Sequence, residues 1–244
     1  MFLRTLHTTT ARSLPPKYGF AFDIDGVLIK VSSLKHPPRF ALASISRASP
    51  HLPARVSCTR ATMYSQRHAA IQLLNGENPS GRRIPWLLLT NGGGITEDKK
   101  AEQLSKKLGV HISPQQLVLS HSPMKALIPT FENTPVLVVG GAGHSCREVA
   151  ERYGFRRVIQ PNDILGWQPA IWPFRELSEK ERAEAKSHFD FAHERIGAIM
   201  VFHDSRDWGR DMQVMIDILR SQNGIIGTVK RDTSVQDVPL YFSN

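Results

Sequence analysis

The sequence predicts an α/β fold built on a doubly wound parallel sheet. Three observations carry this. The apolar run Phe20-Ala21-Phe22 ends in Asp23-Ile24-Asp25-Gly26-Val27. A second apolar run, Ile84 to Leu89, ends in Thr90-Asn91-Gly92-Gly93-Gly94. Further apolar runs alternate with helix-patterned segments that have their own start and stop signals. An apolar run bounded by glycine reads as a buried strand, and open α/β sheets bind ligands at the C-terminal edges of such strands.

The ends of the first two strands carry the chemistry. Residues i and i+2 of an extended segment point the same way, so Asp23 and Asp25 address one site. Gly26 frees the backbone to turn away. Two carboxylates facing one pocket repel each other unless a cation lies between them, or unless one is a nucleophile and the other an acid/base. Hard oxygen ligands of this kind suit Mg2+. The loop after the second strand offers an anion its backbone N–H groups, the Thr90 hydroxyl and the Asn91 amide. Together these groups make a phosphoryl-transfer site.

The remaining elements follow in order. Residues 31–66 are rich in Ser, Pro and Arg, hold no acid and show no sustained periodicity, so they read as a disordered insertion, a retained intron being one origin. His68 to Asn75 reads as a helix end stopped by Gly76. Thr96 caps the next helix, Glu97 and Asp98 suit its first turn, Ala101, Leu104 and Leu108 share a face, and Gly109 ends it. Ser113-Pro114-Gln115-Gln116 is a capping-box pattern leading to a short strand, Leu117 to Ser120. A helix from about Pro123 precedes the strand Pro135–Val139 and the turn Gly140-Gly141-Ala142-Gly143. That turn approaches a dinucleotide fingerprint, but Cys146 stands where its third glycine belongs, so a tight strand-to-helix turn is the better reading. Ser145–Tyr153 reads as a helix, Trp167–Pro173 as a linker, and Ser178-Glu179-Lys180-Glu181 as a capping box opening a charged, solvated helix. Gly197–Phe202 is a strand. A polar loop follows, with Asp207 as cap to a helix over Arg210–Leu219 whose face is Met212, Met215, Ile216 and Leu219. Ile225–Val229 and Pro239–Asn244 are two more strand-like runs.

Composition narrows the function classes. The chain has 244 residues, a 41% hydrophobic content sufficient for a normal core, and no apolar run long enough for a transmembrane segment. Its net charge of +9 invites a nucleic-acid reading. The surplus is concentrated in the N-terminus and between Gly26 and Gly76, with no basic stripe interleaved with aromatics, which argues against nucleic acid. Cys58 and Cys146 suggest neither a disulfide framework nor a zinc site. The first 22 residues hold no acid and carry Arg4, Arg12 and Lys17 among threonines. Residues 1–17 therefore read as a mitochondrial transit peptide, placing the protein in the mitochondrion.

Asp23-Ile24-Asp25-Gly26-Val27 followed by Thr90-Asn91-Gly92-Gly93-Gly94 resembles motifs I and II of the haloacid dehalogenase (HAD) superfamily, subclass IIA. With Phe202-His203-Asp204-Ser205-Arg206-Asp207-Trp208, the triple glycine resembles the cat-eye-syndrome critical region protein 5 branch, which includes fungal mitochondrial members. The resemblance implies a HAD-like core with a type II α/β cap. On this sequence the core's first part would be 18–165 and a partial cap 166–244. It implies Mg2+-dependent hydrolysis of a small phosphorylated substrate, a phosphate monoester. Asp23 would be the nucleophile, Asp25 the general acid/base, and both would ligate the metal. Thr90, Asn91 and Gly92 would bind phosphate. His203, Asp204, Arg206 and Trp208 would select substrate. The lysine of motif III and the acidic pair of motif IV have no counterpart before Asn244, so the resemblance is to a C-terminally truncated member. An alternative is a non-catalytic mitochondrial protein associated with glycerophospholipid metabolism. A homo-oligomer is left open.

Overall fold

The computed structural model describes residues 18–25, 28, 60–186, 188–232 and 234–243. The expected leader over 1–17, the larger part of the expected insertion, Gly26 and Cys58 lie outside the described residues.

The described residues form two parallel sheets. The first has the order β1-β2-β3, with β1 at Phe20–Asp23, β2 at Trp86–Thr90 and β3 at Leu117–Leu119. Its register pairs Phe20 with Trp86, Asp23 with Leu89 and Thr90 with Leu119. Helices α1 (Arg60–Leu74) and α2 (Glu97–Leu108) cover one face, bringing Ile71, Ala101, Leu104 and Leu108 against Ile24, Trp86, Leu88 and Leu117. The Thr96 hydroxyl caps α2 by accepting the Lys99 N–H, and the left-handed Gly109 ends it, as its sequence signals require. On the opposite face Leu89 is 49% exposed.

The second sheet has the order β5-β4-β6-β7. Its strands are β4 (Val136–Val139), β5 (Val158–Ile159), β6 (Ala198–Val201) and β7 (Leu240–Phe242). Helices lie on both faces. Val136, Val138, Ala198 and Met200 pack on Phe131 of α3 (Ile128–Phe131) and on Cys146, Val149 and Ala150 of α4 (Ser145–Tyr153). Leu137, Val139, Ile199 and Val201 pack on Ile164 and Leu165 of α5 (Pro161–Trp167). They also meet Val214, Met215 and Ile218 of α7 (Trp208–Leu219). The short α6 (Glu179–Glu184) is opened by the expected Ser178 capping box. Coverage on both sides explains why β4 and β6 are apolar at every position instead of alternating.

Several elements differ from the sequence reading. Residues 60–66, expected as the end of the insertion, are the start of α1; no Gly or Pro interrupts the chain between Pro53 and Gly76. The sheets part between β3 and β4, so β4, expected with the first strands, is hydrogen-bonded into one sheet with β5, β6 and β7. β5 and α5 were not anticipated, and α5 ends on the first residue of the expected linker, Trp167. Ile225–Val229 is a turn, not a strand: Gly224 and Gly227 sit at positive φ, and the Thr228 N–H donates to the Ile225 carbonyl. On α7 the buried face is Asp211, Val214, Met215 and Ile218, while Met212 and Ile216 are 46% and 47% exposed. The helix is turned because Asp211 is drawn inward, accepting the Ser205 hydroxyl and pairing with Arg210.

Candidate active site

The site begins with strand ends. β1 and β2 are adjacent and parallel, so the carboxylates of Asp23 and Asp25 arrive at the same edge as Thr90. The Ile24 N–H donates to Asp23 Oδ1 at 2.8 Å, and Thr90 Oγ1 donates to Asp25 Oδ2 at 3.1 Å. The Thr90 hydroxyl in turn accepts the Gly92 N–H at 2.9 Å. Thr90 is buried, whereas Asp23, Asp25 and Asn91 are exposed to an open pocket of about 530 Å³. Asp23, Asp25, Thr90, Asn91 and Gly92 all line it, so the structure brings together the five residues expected to act on phosphate.

The three glycines divide their work. A Cβ on Gly92 would lie 3.2 Å from Thr90 Oγ1, 3.5 Å from Asp25 Oδ2 and 3.8 Å from Lys100 Nζ, so Gly92 keeps a polar cradle open. Gly93 and Gly94 instead permit contact with other segments. A Cβ on Gly93 would sit 2.7 Å from Ser120 Oγ and 2.9 Å from His121 Cδ2. One on Gly94 would sit 2.9 Å from His203 Cδ2. The loop after β2 is thus packed beneath the segment that follows β6.

The residues expected to select substrate are split by this packing. His203 reaches the Gly94 backbone. The Asp204 carbonyl accepts the Gly141 N–H at 3.0 Å, and a Cβ on Gly140 would overlap the His203 carbonyl. The Gly140–Gly143 turn is therefore committed to the 203–204 segment, as a tight turn. Arg206 lies with Gly140, Gly141 and Asp207 in a separate crevice, and Trp208 opens α7; neither lines the pocket of Asp23 and Asp25. Asp207 caps α7 through the Arg210 N–H, as its position predicted.

A buried polar junction beside the site was not legible in the sequence. The Glu97 carboxylate, in the first turn of α2, receives hydrogen bonds from Lys125, Tyr153 and Ser122 at 2.8, 2.7 and 2.7 Å. Burial pushes this carboxyl up, but the three donors outweigh burial and hold it at about 2. The Tyr153 hydroxyl is raised by burial and by Glu97. His121, fully buried, has Nδ1 2.7 Å from the Tyr153 oxygen and Nε2 3.2 Å from the Ile95 carbonyl. Burial holds its imidazole below the usual range against the pull of Glu97.

The donor set admits a magnesium ion in one mode. Among the described residues no cluster of three or more His, Cys, Asp or Glu side chains forms a metal cage. Two neighbouring carboxylates, open to solvent, match the way this ion is held by one or two carboxylates together with substrate phosphate and water.

Comparison with known proteins agrees with this geometry. A family model described as haloacid dehalogenase-like hydrolase matches residues 20–156, which contain both strand ends. A protein named mitochondrial hydrolase from Saccharomyces cerevisiae is 36% identical over 230 residues, covering 93% of this chain and 54% of that protein. A cardiolipin synthase (CMP-forming)/mitochondrial hydrolase fusion protein from Schizosaccharomyces pombe is 38% identical over 162 residues, covering 66% of this chain and 26% of that one. The chain thus spans about half the length of the first relative and about a quarter of the second. Among solved structures, a possible sugar phosphatase of the HAD superfamily from Cytophaga hutchinsonii matches at 12% identity and a TM-score of 0.39, over 64% of this chain and 44% of that one. With the family model spanning the aspartate and glycine loops and a 36% identical relative matching over 93% of this chain, the chain belongs to the haloacid dehalogenase-like hydrolases.

Proposed function

We propose that the protein is a phosphohydrolase that cleaves phosphate monoesters through an aspartyl-phosphate. The observation that carries this is the convergence of Asp23, Asp25, Thr90 and Gly92 on one pocket at adjacent strand ends. An Asp23 carboxylate oxygen attacks phosphorus while the bond to the ester oxygen breaks, and Asp25 gives its proton to the departing alcohol. Water then attacks the phosphoryl group, Asp25 takes its proton, and inorganic phosphate leaves with Asp23 regenerated. An aspartate nucleophile needs no adjacent base to activate it. The Thr90 hydroxyl, Asn91 amide and loop N–H groups hold the phosphoryl oxygens. Asp23 and Asp25 would hold magnesium, which when bound neutralises phosphoryl charge.

Turnover of an aryl phosphate with magnesium tests this reading. Asp23→Asn is expected to lower it by roughly 10³-fold or more, and a phosphoryl group should be trapped on the Asp23 peptide of the wild type. Turnover retained in Asp23→Asn, or none on a panel of monoesters, refutes it.

The relatives' names and the acid-free N-terminus support a mitochondrial location. The fusion of one relative to a cardiolipin synthase supports a second reading, in which the protein serves glycerophospholipid metabolism without catalysis. Altered mitochondrial lipids in a deletion strain, rescued by Asp23→Asn, would favour it.

A further inference from the structure

We propose that Lys100 is a phosphate-binding residue of this site, a role resting on the reading of the strand ends as a phosphoryl-transfer centre. The first turn of α2 carries four charges in succession, Glu97, Asp98, Lys99 and Lys100. Three are committed to the second sheet's half of the molecule: Glu97 to Lys125, Asp98 to Arg152 and Lys99 to Glu148. Lys100 is the exception. Among the described residues its ammonium makes no hydrogen bond or ion pair, although the side chain is half-buried.

Its position gives it a partner of definite chemistry. Thr90 Oγ1, Asp25 Oδ2 and Lys100 Nζ all lie within 3.8 Å of the point that a Gly92 side chain would occupy. A phosphoryl group held by the Gly92 loop brings anionic oxygens to that cradle. The ammonium then gains a charge-assisted hydrogen bond that solvent alone does not supply as well. Without substrate the same charge offsets the paired carboxylates of Asp23 and Asp25 across the pocket. Lys100 therefore favours the anion and disfavours a lone cation at one site.

These opposite signs make the test. The 244-residue protein, Lys100→Met, Lys100→Arg and Lys99→Met are titrated calorimetrically with inorganic phosphate in the presence of magnesium, and with magnesium alone. Lys100→Met should weaken phosphate binding roughly 10- to 100-fold, the worth of one charge-assisted hydrogen bond. Its affinity for magnesium alone should hold or rise. Lys100→Arg should keep most phosphate affinity, and Lys99→Met should change neither titration. A merely structural lysine would lower both affinities together and shift the melting temperature. The assignment is overturned by phosphate binding in Lys100→Met within about twofold of wild type, by parallel loss of both ligands, or by no phosphate binding in the wild type. Aryl phosphate turnover surviving in Asp23→Asn refutes the hydrolase reading while leaving a positive Lys100 titration intact, so the two failures are separable.

Discussion

Replacing Glu97 by Gln tests the polar junction that joins the two sheets. The substitution keeps the shape of the side chain and an acceptor oxygen, and removes only the charge toward which Lys125, Tyr153 and Ser122 donate. In the folded protein this carboxyl titrates at about 2, against 4.5 for an ordinary glutamate. The unfolded chain therefore binds the proton first as pH falls, and Glu97 stabilises the fold above pH 4.5 and loses that effect as pH drops toward 2. The difference corresponds to about 3 kcal/mol at neutral pH, and by pH about 3 less than half of it remains. Solvent screening reduces this, because the Lys125 side chain is half exposed. The expected cost of Glu97→Gln is about 1–3 kcal/mol near pH 7, measured by urea unfolding. The cost should shrink steadily in the same measurement at pH 4 and pH 3. A penalty that stays constant over that range, or is absent at pH 7, would show that the junction is not held by an ionised Glu97.

Four further outcomes follow from other contacts in the fold. Gly93→Ala should destabilise the fold by about 1–3 kcal/mol, because its methyl group meets the Ser120 hydroxyl and the buried His121 ring. Gly92→Ala should instead leave unfolding nearly unchanged and weaken phosphate binding, since the methyl group enters the open cradle. Denaturant unfolding and phosphate titration of the two variants together check this contrast. Arg147→Met should cost about 3–5 kcal/mol in the same unfolding assay, because it strands the fully buried carboxylate of Asp163. Burial pushes the Cys146 thiol up to about 12, so alkylation at pH 8, followed by mass spectrometry of its peptide, should proceed only once the protein is unfolded.

What the sequence reveals and what it hides divide along physical lines. Apolar runs such as β2, β4 and β6 were legible, and β4 and β6, covered on both faces, need no alternation. The pocket was legible too, since the i, i+2 aspartates and the Thr-Asn-Gly run each sit at the end of such a strand. β5, at two residues, is too short to leave a periodic signal, and only Gln160 separates it from α5. Ile225–Val229 has strand composition, but Gly224 before it and Gly227 within it take positive φ and curl it into turns. The partition into two sheets is a property of hydrogen bonding between distant segments, and no local pattern encodes it. The same holds for Glu97: a first-turn acid satisfies the helix dipole equally well in solvent or in a buried cluster.

The triple glycine shows how the pocket and the second sheet constrain each other. Gly92 faces the pocket, whereas Gly93 and Gly94 bring the backbone close to Ser120, His121 and His203. Two residues beyond Gly94, Thr96 caps α2, whose first turn sends Glu97, Asp98 and Lys99 across to Lys125, Arg152 and Glu148. The loop proposed to hold phosphate is therefore tied on both sides, by close backbone packing and then by three ion pairs. Exposed pairs such as Lys99–Glu148 contribute little stability, so the buried Glu97 cluster must set the orientation of this turn. Orienting α2 through Glu97 also aims Lys100, three residues on, at Gly92. If the Gly92 loop holds phosphate as proposed, a substitution that loosens the Glu97 cluster without unfolding the protein would reach that site through Lys100, at no direct contact with substrate.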